Sequence, residues 1–271
     1  MNKCFKIFLL LFLIAPLARS AFISDEFSKI RVYYKLTFQL DSTSESKKKS
    51  EYIVLYLGEN ISKSASVRRL YWEDTLSKEA DIMIEQTGTL DFTKLNVPRT
   101  KFKWKIFKYK DRIEVFDNIN AQDNYYLEKD ADIDWQLHDE VKEISGYQCQ
   151  KATGHFAGRE YIAWFTREVP VSDGPYKFRG LPGLIVKIYD TRMHYDFELI
   201  KLQKFERYNL SKRPQVYVKT SKREFMRMVE AKKNKPIAYL RTIVNIDLTK
   251  EEEEEIIERN QKENNPIELI Y

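Results

Sequence analysis

The feature that most limits the fold is a strict alternation of side chains near the start of the chain. The stretch VYYKLTFQL, residues 32–40, places Val32, Tyr34, Leu36, Phe38 and Leu40 on one face. A period of two over this length indicates a half-buried β-strand. The same period recurs, less regularly, at residues 52–57, 102–109, 112–116, 159–166, 184–190 and 194–202. The chain is therefore predicted to be mainly β.

Short polar connectors separate consecutive strand segments. Lys110-Asp111 and Thr191-Arg192-Met193 are too short for a crossover helix, so they favour antiparallel hairpins over βαβ units. We find no internal repeat and no Pro- or Ser-rich linker, and a hydrophobic content of 43% is enough to fill one core. The simplest organisation is a single β-rich domain over residues 21–248.

Helical patterns are fewer and lie mostly near the C-terminus. SKEADIMIEQ, residues 77–86, has Ala80, Met83 and Ile84 at helical spacing. Ser221 with Glu224, and Thr249 with Glu252, each have the spacing of a capping box at a helix start. We expect one or two C-terminal helices, with residues 249–271 forming a charged, solvated helix and a loose tail.

The first twenty residues have the pattern of a secretory signal peptide. Lys3 and Lys6 precede an apolar run, residues 7–17, and Ala18 and Ser20 supply a small-x-small cleavage site. The run is too short to cross a bilayer, which needs about 20 apolar residues. We therefore expect cleavage after Ser20 and an exported, soluble, monomeric protein, periplasmic or at the cell surface.

Charge and cysteine content exclude several classes of protein. The formal charge of +5 falls to about +2 without the leader, which leaves no basic footprint for nucleic acid. The densest basic run, residues 47–49, lies in a polar stretch typical of a solvated hairpin loop. Only Cys149 remains once Cys4 leaves with the leader, so no intramolecular disulfide can form.

Three blocks stand in order in the centre of the chain: GYQCQKA (residues 146–152), GREYIAWF (158–165) and GPYKFRGLPGLI (174–185). Here the sequence resembles the GLPGLI family, exported proteins of Gram-negative envelopes. Its naming hexapeptide is Gly180, Leu181, Pro182, Gly183, Leu184 and Ile185. The resemblance implies a curved antiparallel sheet, bowl-like or half-barrel. The family has no established activity, but one such domain precedes the catalytic part of a bacterial glycan-releasing amidase, which implies an accessory or partner-binding role.

The hexapeptide is predicted to be a turn and not a phosphate cradle. A cradle needs successive free backbone amides and a following helix, whereas Pro182 lacks an amide hydrogen and a β-rich run follows. Pro182-Gly183 suits the central positions of a type II turn. Leu181, Leu184 and Ile185 are then expected in the core, although a ligand rim is the alternative.

Two catalytic arrangements fit the residue types in this region. Cys149 with His155, oriented by Asp173 or Asp190, would give a hydrolase nucleophile, and Asp173 with Asp190 would give a carboxylate pair. The alternation of Tyr147 with Cys149 instead favours a core cysteine. His138, His155 and His194 have no zinc-ligand spacing, so we predict no metal and no cofactor.

A binding function has the better candidates. Arginine and aromatic residues are enriched in binding hot spots, and a concave sheet could present them together. The candidates are Arg159, Tyr161, Trp164, Tyr176, Lys177 and Arg179. The competing interpretation is that Trp164 packs in the core and that Arg159 pairs with an acid of a neighbouring strand. We therefore predict an exported module that binds an envelope protein, a peptide or an apolar ligand, with a hydrolase as the alternative.

Overall fold

The computed structural model describes residues 26–44, 47–71, 75, 77–89, 99–119, 122–129, 133–210, 216–242 and 246–270. The predicted leader, residues 1–20, lies outside them. Within the described residues the strands are β1 (Phe27–Phe38), β2 (Lys49–Leu57), β3 (Ser62–Ser66), β4 (Lys105–Lys108), β5 (Arg112–Ile119), β6 (Gln122–Lys129), β7 (Gln136–Ile144), β8 (Tyr147–Phe156), β9 (Arg159–Thr166), β10 (Leu184–Asp190), β11 (Tyr195–Asn209) and β12 (Val218–Lys219). The helices are α1 (Val67–Tyr71), α2 (Ser77–Thr87), α3 (Lys222–Asn234), α4 (Pro236–Arg241) and α5 (Lys250–Gln261).

All twelve strands form one open, curved sheet in the order β12-β6-β5-β4-β3-β2-β1-β11-β10-β9-β8-β7. Two antiparallel meanders, β1 to β6 and β7 to β11, are joined by the pairing of β1 with β11, in which Phe38 lies opposite Tyr195. The short strand β12 adds a parallel edge beside β6. The prediction of a curved, mainly antiparallel sheet with C-terminal helices is confirmed.

The two faces of the sheet bury different sets of side chains, as a period of two requires. Val32, Tyr34, Leu36 and Phe38 of β1 lie in the main core, on the face that we call the inner face. The opposite, outer face has a small cluster that contains Val54, Tyr56 and Leu70. The polar stretch between β1 and β2 is a surface connection, with residues 47–49 exposed.

The segment between β9 and β10 packs against the inner face. Tyr176, Phe178 and Leu181 of this segment are buried in the main core, as are Leu184 and Ile185 at the start of β10. The predicted core positions of the hexapeptide are therefore confirmed, and Pro182 is exposed.

The prediction of a type II turn at Pro182-Gly183 is wrong. The amide of Gly183 donates to the carbonyl of Leu181, 2.8 Å away, so the turn is a three-residue γ-turn centred on Pro182. Gly183 has a φ of 159°, far from the value near +80° of a type II turn. The need for glycine comes from close approach, because a Cβ at Gly183 would lie 2.1 Å from the carbonyl oxygen of Thr166.

The predicted helix starts are confirmed for α3 and α5. Ser221 and Thr249 both form complete capping boxes with the glutamates three residues later. The helix predicted at residues 77–86 forms as α2, and Ile84 on its apolar stripe is 46% exposed. Among the described helices, none has the length and apolar character needed to span a membrane.

The C-terminal tail differs from its prediction as a loose segment. Asn265 and Glu268 are both buried, and their side chains contact the inner part of the domain. We call residues 263–270 the strap, since they run from α5 back onto the sheet.

Candidate functional site

A hollow lies between the sheet and the C-terminal helices. It has a volume of about 630 Å³, and we call it the cap cavity. Trp104, immediately before β4, and Ile119, at the end of β5, form part of its sheet side. Phe225 and Val229 of α3 and Tyr239 of α4 line it from the helices. A capped amphipathic helix laid over the end of a curved sheet thus leaves a partly open space between the two.

Two polar atoms at the wall of the cap cavity have no hydrogen-bond partner in the described part of the chain. They are the indole Nε1 of Trp104 and the hydroxyl of Tyr239, and both atoms are buried. Trp104 is held in place by an edge contact with Tyr176, with ring centroids 5.1 Å apart. A buried polar group without a partner costs free energy, so such groups are uncommon unless water or a ligand satisfies them.

The strap is held first by Arg159, the first residue of β9. Its Nε donates to the carbonyl of Ile267 at 3.0 Å, and its Nη2 donates to Asn265 Oδ1 and to the carbonyl of Pro266, each at 2.6 Å. Its Nη1 pairs with Asp190 of β10 at 3.1 Å. The interpretation that Arg159 pairs with an acid of a neighbouring strand is therefore confirmed, and the same guanidinium also recognises the backbone of the strap.

The turn between β8 and β9 makes room for the strap. Ala157 and Gly158 have φ values of 47° and 84°, which is the geometry of a two-residue type I′ hairpin. The carbonyl of Ala157 accepts the amide of Leu269 at 2.8 Å. A Cβ at Gly158 would lie 3.0 Å from side-chain atoms of Leu269 and Ile270, so glycine serves both the turn and the close approach.

The strap is held next by a buried cluster of charges. Glu268 accepts from Lys177 Nζ at 2.5 Å and from the hydroxyl of Tyr176 at 2.6 Å, and it pairs with Lys222 of α3 at 2.9 Å. Glu128 of β6 also pairs with Lys177, at 2.7 Å. Burial acts to raise the pKa of Glu268, but the two lysines and the tyrosine outweigh it and hold that pKa below its usual value.

Of the six residues predicted as a binding surface, the structure brings three to the strap: Arg159, Tyr176 and Lys177. Tyr161 is buried in the main core. Trp164 lies apart from them as a buried residue beneath Lys142, whose Nζ is 3.7 Å from the ring centroid. Arg179 is half-buried and donates to the carbonyl of Tyr109 at 2.5 Å. Their role in binding a partner stays a prediction.

The residues of the predicted hydrolase sites are not brought together. Cys149 and His155 lie six residues apart on β8, about 20 Å at the rise of an extended strand. Cys149 is fully buried, and burial raises its pKa to about 11, whereas His155 is exposed. The core interpretation of Cys149 is confirmed.

The two aspartates are also apart, and each has its own cation. Asp173 pairs with Lys108, and its carbonyl accepts the amide of Ile185, five residues before Asp190 on β10. Five residues of strand correspond to about 17 Å. Asp190 is engaged by Arg159 and by the amide of Tyr195.

The three histidines occupy separate places. His138 contacts Thr153 Oγ1 at 2.8 Å, His155 is exposed, and His194 lies 3.3 Å from Arg159 Nη1. Within the described ranges, no three His, Cys, Asp or Glu side chains are grouped as ligands for one metal ion.

Sequence reasoning missed the residues of the cap cavity. The run KFKWK, residues 101–105, alternates cations with aromatic residues, and it places Lys101, Lys103 and Trp104 at the cavity. This alternation is the one feature of the sequence that could have indicated a ligand-binding wall here, but it is equally typical of a strand with one solvated face. No pattern in the sequence predicted α4, which begins at Pro236, directly after α3.

The fold therefore defines the class of protein: an open, curved β-sheet that is covered by helices, with a cavity between the sheet and the helices. A family described as a protein of unknown function (Porph_ging) matches residues 157–187, which include Arg159, Tyr176 and Lys177. The match covers only this short segment, so the assignment to the GLPGLI family stays a prediction. No curated protein matches the sequence.

Two solved structures are similar in fold, those of PNGF-II in space groups P21 and C2. Each is 14% identical, and the TM-scores are 0.52 and 0.51. Each alignment covers 76% of this chain and 33% of the solved chain, so this chain spans about a third of their length. Identity at this level shows similarity of fold alone.

Proposed function

We propose that this protein is an exported binding module that holds a small ligand in the cap cavity. The observation that carries the proposal is a cavity of about 630 Å³ with the buried, unpartnered Trp104 Nε1 and Tyr239 hydroxyl at its wall. Ligand sites typically have about 300–1,000 Å³, a mainly apolar lining and a few convergent polar groups. The cap cavity has this size, and apolar side chains share its lining with polar and charged ones.

The wall of the cavity is built to persist without a ligand. Trp104 and Phe225 are buried, and Phe225 packs against Tyr126 of β6 with ring centroids 5.3 Å apart. The first residue of α3, Lys222, is tied to Glu128 and Glu268. A preformed wall lowers the ordering cost of binding, because the site need not be assembled around the ligand.

A binding role agrees better with the geometry than the hydrolase alternative. Acid and base groups of an enzyme must converge on one cleft within hydrogen-bond reach. The spacing along β8 and β10 separates the predicted pairs, and Asp173 and Asp190 are each neutralised by a buried cation.

Export is part of the proposal, and it is supported by the leader pattern of residues 1–20. Intact-mass measurement of the protein from its native envelope is expected to show a chain that begins at Ala21. A chain that retains residues 1–20 would contradict export by cleavage.

Native mass spectrometry tests the binding function. The chain from Ala21 is purified from its native host, and its mass is compared before and after denaturing extraction. The extracted protein is then screened against fractions of an envelope extract for a change in melting temperature. We expect a bound species that stabilises the protein. Val229→Trp, which places a large ring in the cavity, should lose both the bound species and the thermal shift.

The matched control is Val141→Trp on the edge strand β7, where Val141 is 57% exposed and remote from the cavity lining. It should keep the ligand. The proposal would be overturned if Val229→Trp kept as much ligand as the Val141→Trp control. It would also be overturned if the wild-type protein showed neither a bound species nor any thermal shift.

A further inference from the structure

The charges around the cap cavity are unbalanced. Among the described residues that line it, two carboxylates, Asp117 and Glu263, face four cations: Lys101, Lys103, Lys232 and Arg259. Lys101 is already paired with Glu263 of the strap. Asp117 accepts the backbone amide of Asn118 at 2.7 Å. The remaining cations therefore outnumber the carboxylates available to them.

Lys103, two residues before β4, and Lys232 of α3 both line this cavity. Among the described residues, neither has a carboxylate within ion-pair distance. Partial desolvation, followed by the like charge of Lys103, lowers the pKa of Lys232. Two ammonium groups that repel each other across a cavity are stabilised by an anion between them.

The unpartnered polar atoms point to the same chemistry. An indole Nε1 can only donate a hydrogen bond, so the missing partner of Trp104 must be an acceptor. A charged oxygen is the strongest acceptor for such a donor. Apolar walls at Ile119, Phe225 and Val229 adjoin these polar groups and would contact an uncharged body.

The geometry points to an anionic ligand, and we infer that the cap cavity binds an apolar body that carries a carboxylate or phosphate group. The anionic group lies between Lys103 and Lys232 and accepts from Trp104. This inference rests on the proposed function. Glu263 competes with the ligand's anionic group for the cations of the cavity, because its carboxylate already pairs with Lys101 at the rim.

The test uses three probes with aromatic bodies, measured by isothermal titration with the chain from Ala21 at pH 7.5: 3-phenylpropionate, phenyl phosphate and 3-phenylpropionamide. The carboxylate is expected to bind at least about tenfold more tightly than the uncharged amide, since charge-assisted hydrogen bonds are about twice as strong as neutral ones. Comparison of the affinities of 3-phenylpropionate and phenyl phosphate shows whether the site prefers a carboxylate or a phosphate group.

Variants separate the charge from the cavity itself. Lys103→Gln with Lys232→Gln should abolish the preference for the anions, so that all three probes bind with similar affinity. Glu263→Gln should strengthen binding of the anions but not of the amide. Lys110→Gln, an exposed lysine in the turn between β4 and β5, is the matched control and should behave as wild type.

The outcomes distinguish the inference from the proposed function. Amide binding equal to that of both anions, or an anion preference that survives the double lysine substitution, would overturn the anionic ligand class and keep the cavity as a binding site. Wild-type protein that binds none of the three probes, with a melting temperature unchanged by envelope fractions, would overturn both.

Discussion

The carboxylate of Glu268 lies 2.5 Å from the ammonium of Lys177, although 91 positions separate the two residues in the chain. Lys177 is 1% exposed and belongs to the segment between β9 and β10, whereas Glu268 belongs to the strap. A buried ammonium requires neutralising partners, because its desolvation costs several kcal/mol. Glu128 and Glu268 supply them, which explains why the strap is docked on the domain and not solvated.

Glu268→Gln tests this dependence. It keeps the size of the side chain but removes a charge from the cluster, so Lys177 and Lys222 are left with Glu128. Breaking a buried ion pair typically costs about 3–5 kcal/mol. We expect about 2–3 kcal/mol of unfolding free energy to be lost in urea denaturation, together with faster proteolysis of the strap.

The control for that substitution is Glu258→Gln, which breaks an exposed i,i+4 pair with Lys262 on the surface of α5. Exposed pairs contribute little to stability because solvent screens them, so this variant should unfold like wild type. A Glu268→Gln protein that matched the control in both stability and proteolysis would show that the strap is held by Arg159 and the backbone alone.

Gly183→Ala is expected to be severely destabilising because a Cβ would meet the backbone of Thr166. The approach of 2.1 Å to a carbonyl oxygen cannot be relieved by rotating a side chain. We expect a loss of more than about 3 kcal/mol, since β9 and β10 would have to separate locally.

Gly146→Ala is the matched control for Gly183→Ala. Gly146 has a φ of 82°, and a Cβ there would meet no atom within 4 Å. Its cost is therefore conformational strain alone, about 1–2 kcal/mol. Equal losses in the two variants would contradict the close-approach explanation.

The local patterns predicted the strands where one face is apolar and the other polar, and they did not predict the strands where that contrast is missing. Strand β3, SKSAS, consists mostly of small polar residues, and all five are buried between neighbouring strands. Strand β7 is almost entirely polar or exposed at the sheet edge. Pairing with neighbours specifies these strands, and that information is not present in a window of a few residues.

The candidate site was less predictable because its parts come from distant segments. Trp104, Phe225 and Tyr239 meet only after the helices fold over the sheet. The capping boxes predicted where α3 and α5 begin, but not the face of the sheet that they cover. The candidates Arg159, Tyr176 and Lys177 were found from their residue types, and the contact with the strap was missed because residues 263–270 have few apolar side chains in a periodic pattern.

Cys149 is expected to be chemically inert in the folded protein. With a pKa of about 11, raised by burial, only about one thiol in ten thousand is ionised at pH 7. In the chain from Ala21, where it is the single cysteine, a thiol reagent such as DTNB should react only after denaturation. Cys149→Ser should lower stability and leave ligand binding unchanged.

A variant that combines Cys149→Ser with His155→Cys provides the accessible thiol for comparison, because His155 is exposed on the same strand. It should react with DTNB in the native state. Native labelling of Cys149 at a comparable rate would return the nucleophile hypothesis to consideration.

Asp117 predicts a pH dependence of stability. Burial raises its pKa to about 6, against the opposing effects of the Asn118 amide, Lys103 and Arg69. In the unfolded chain an aspartate titrates near pH 3.9. Between about pH 4 and pH 6 the folded protein therefore retains a proton that the unfolded chain releases, so the contribution of Asp117 to stability falls as pH rises through this window. Above pH 6 its destabilising effect is constant.

Asp117→Asn removes the titrating group and keeps an oxygen that can accept the Asn118 amide. We expect it to be more stable than wild type by about 1–3 kcal/mol at pH 7.5, with the difference shrinking towards pH 4.5, as measured by urea denaturation at each pH. Asp111→Asn, in the exposed turn before β5, should show no such trend. A difference between Asp117→Asn and wild type that stays constant across this range would mean that Asp117 titrates at its ordinary pKa, and that its carboxylate is solvated at the wall of the cap cavity.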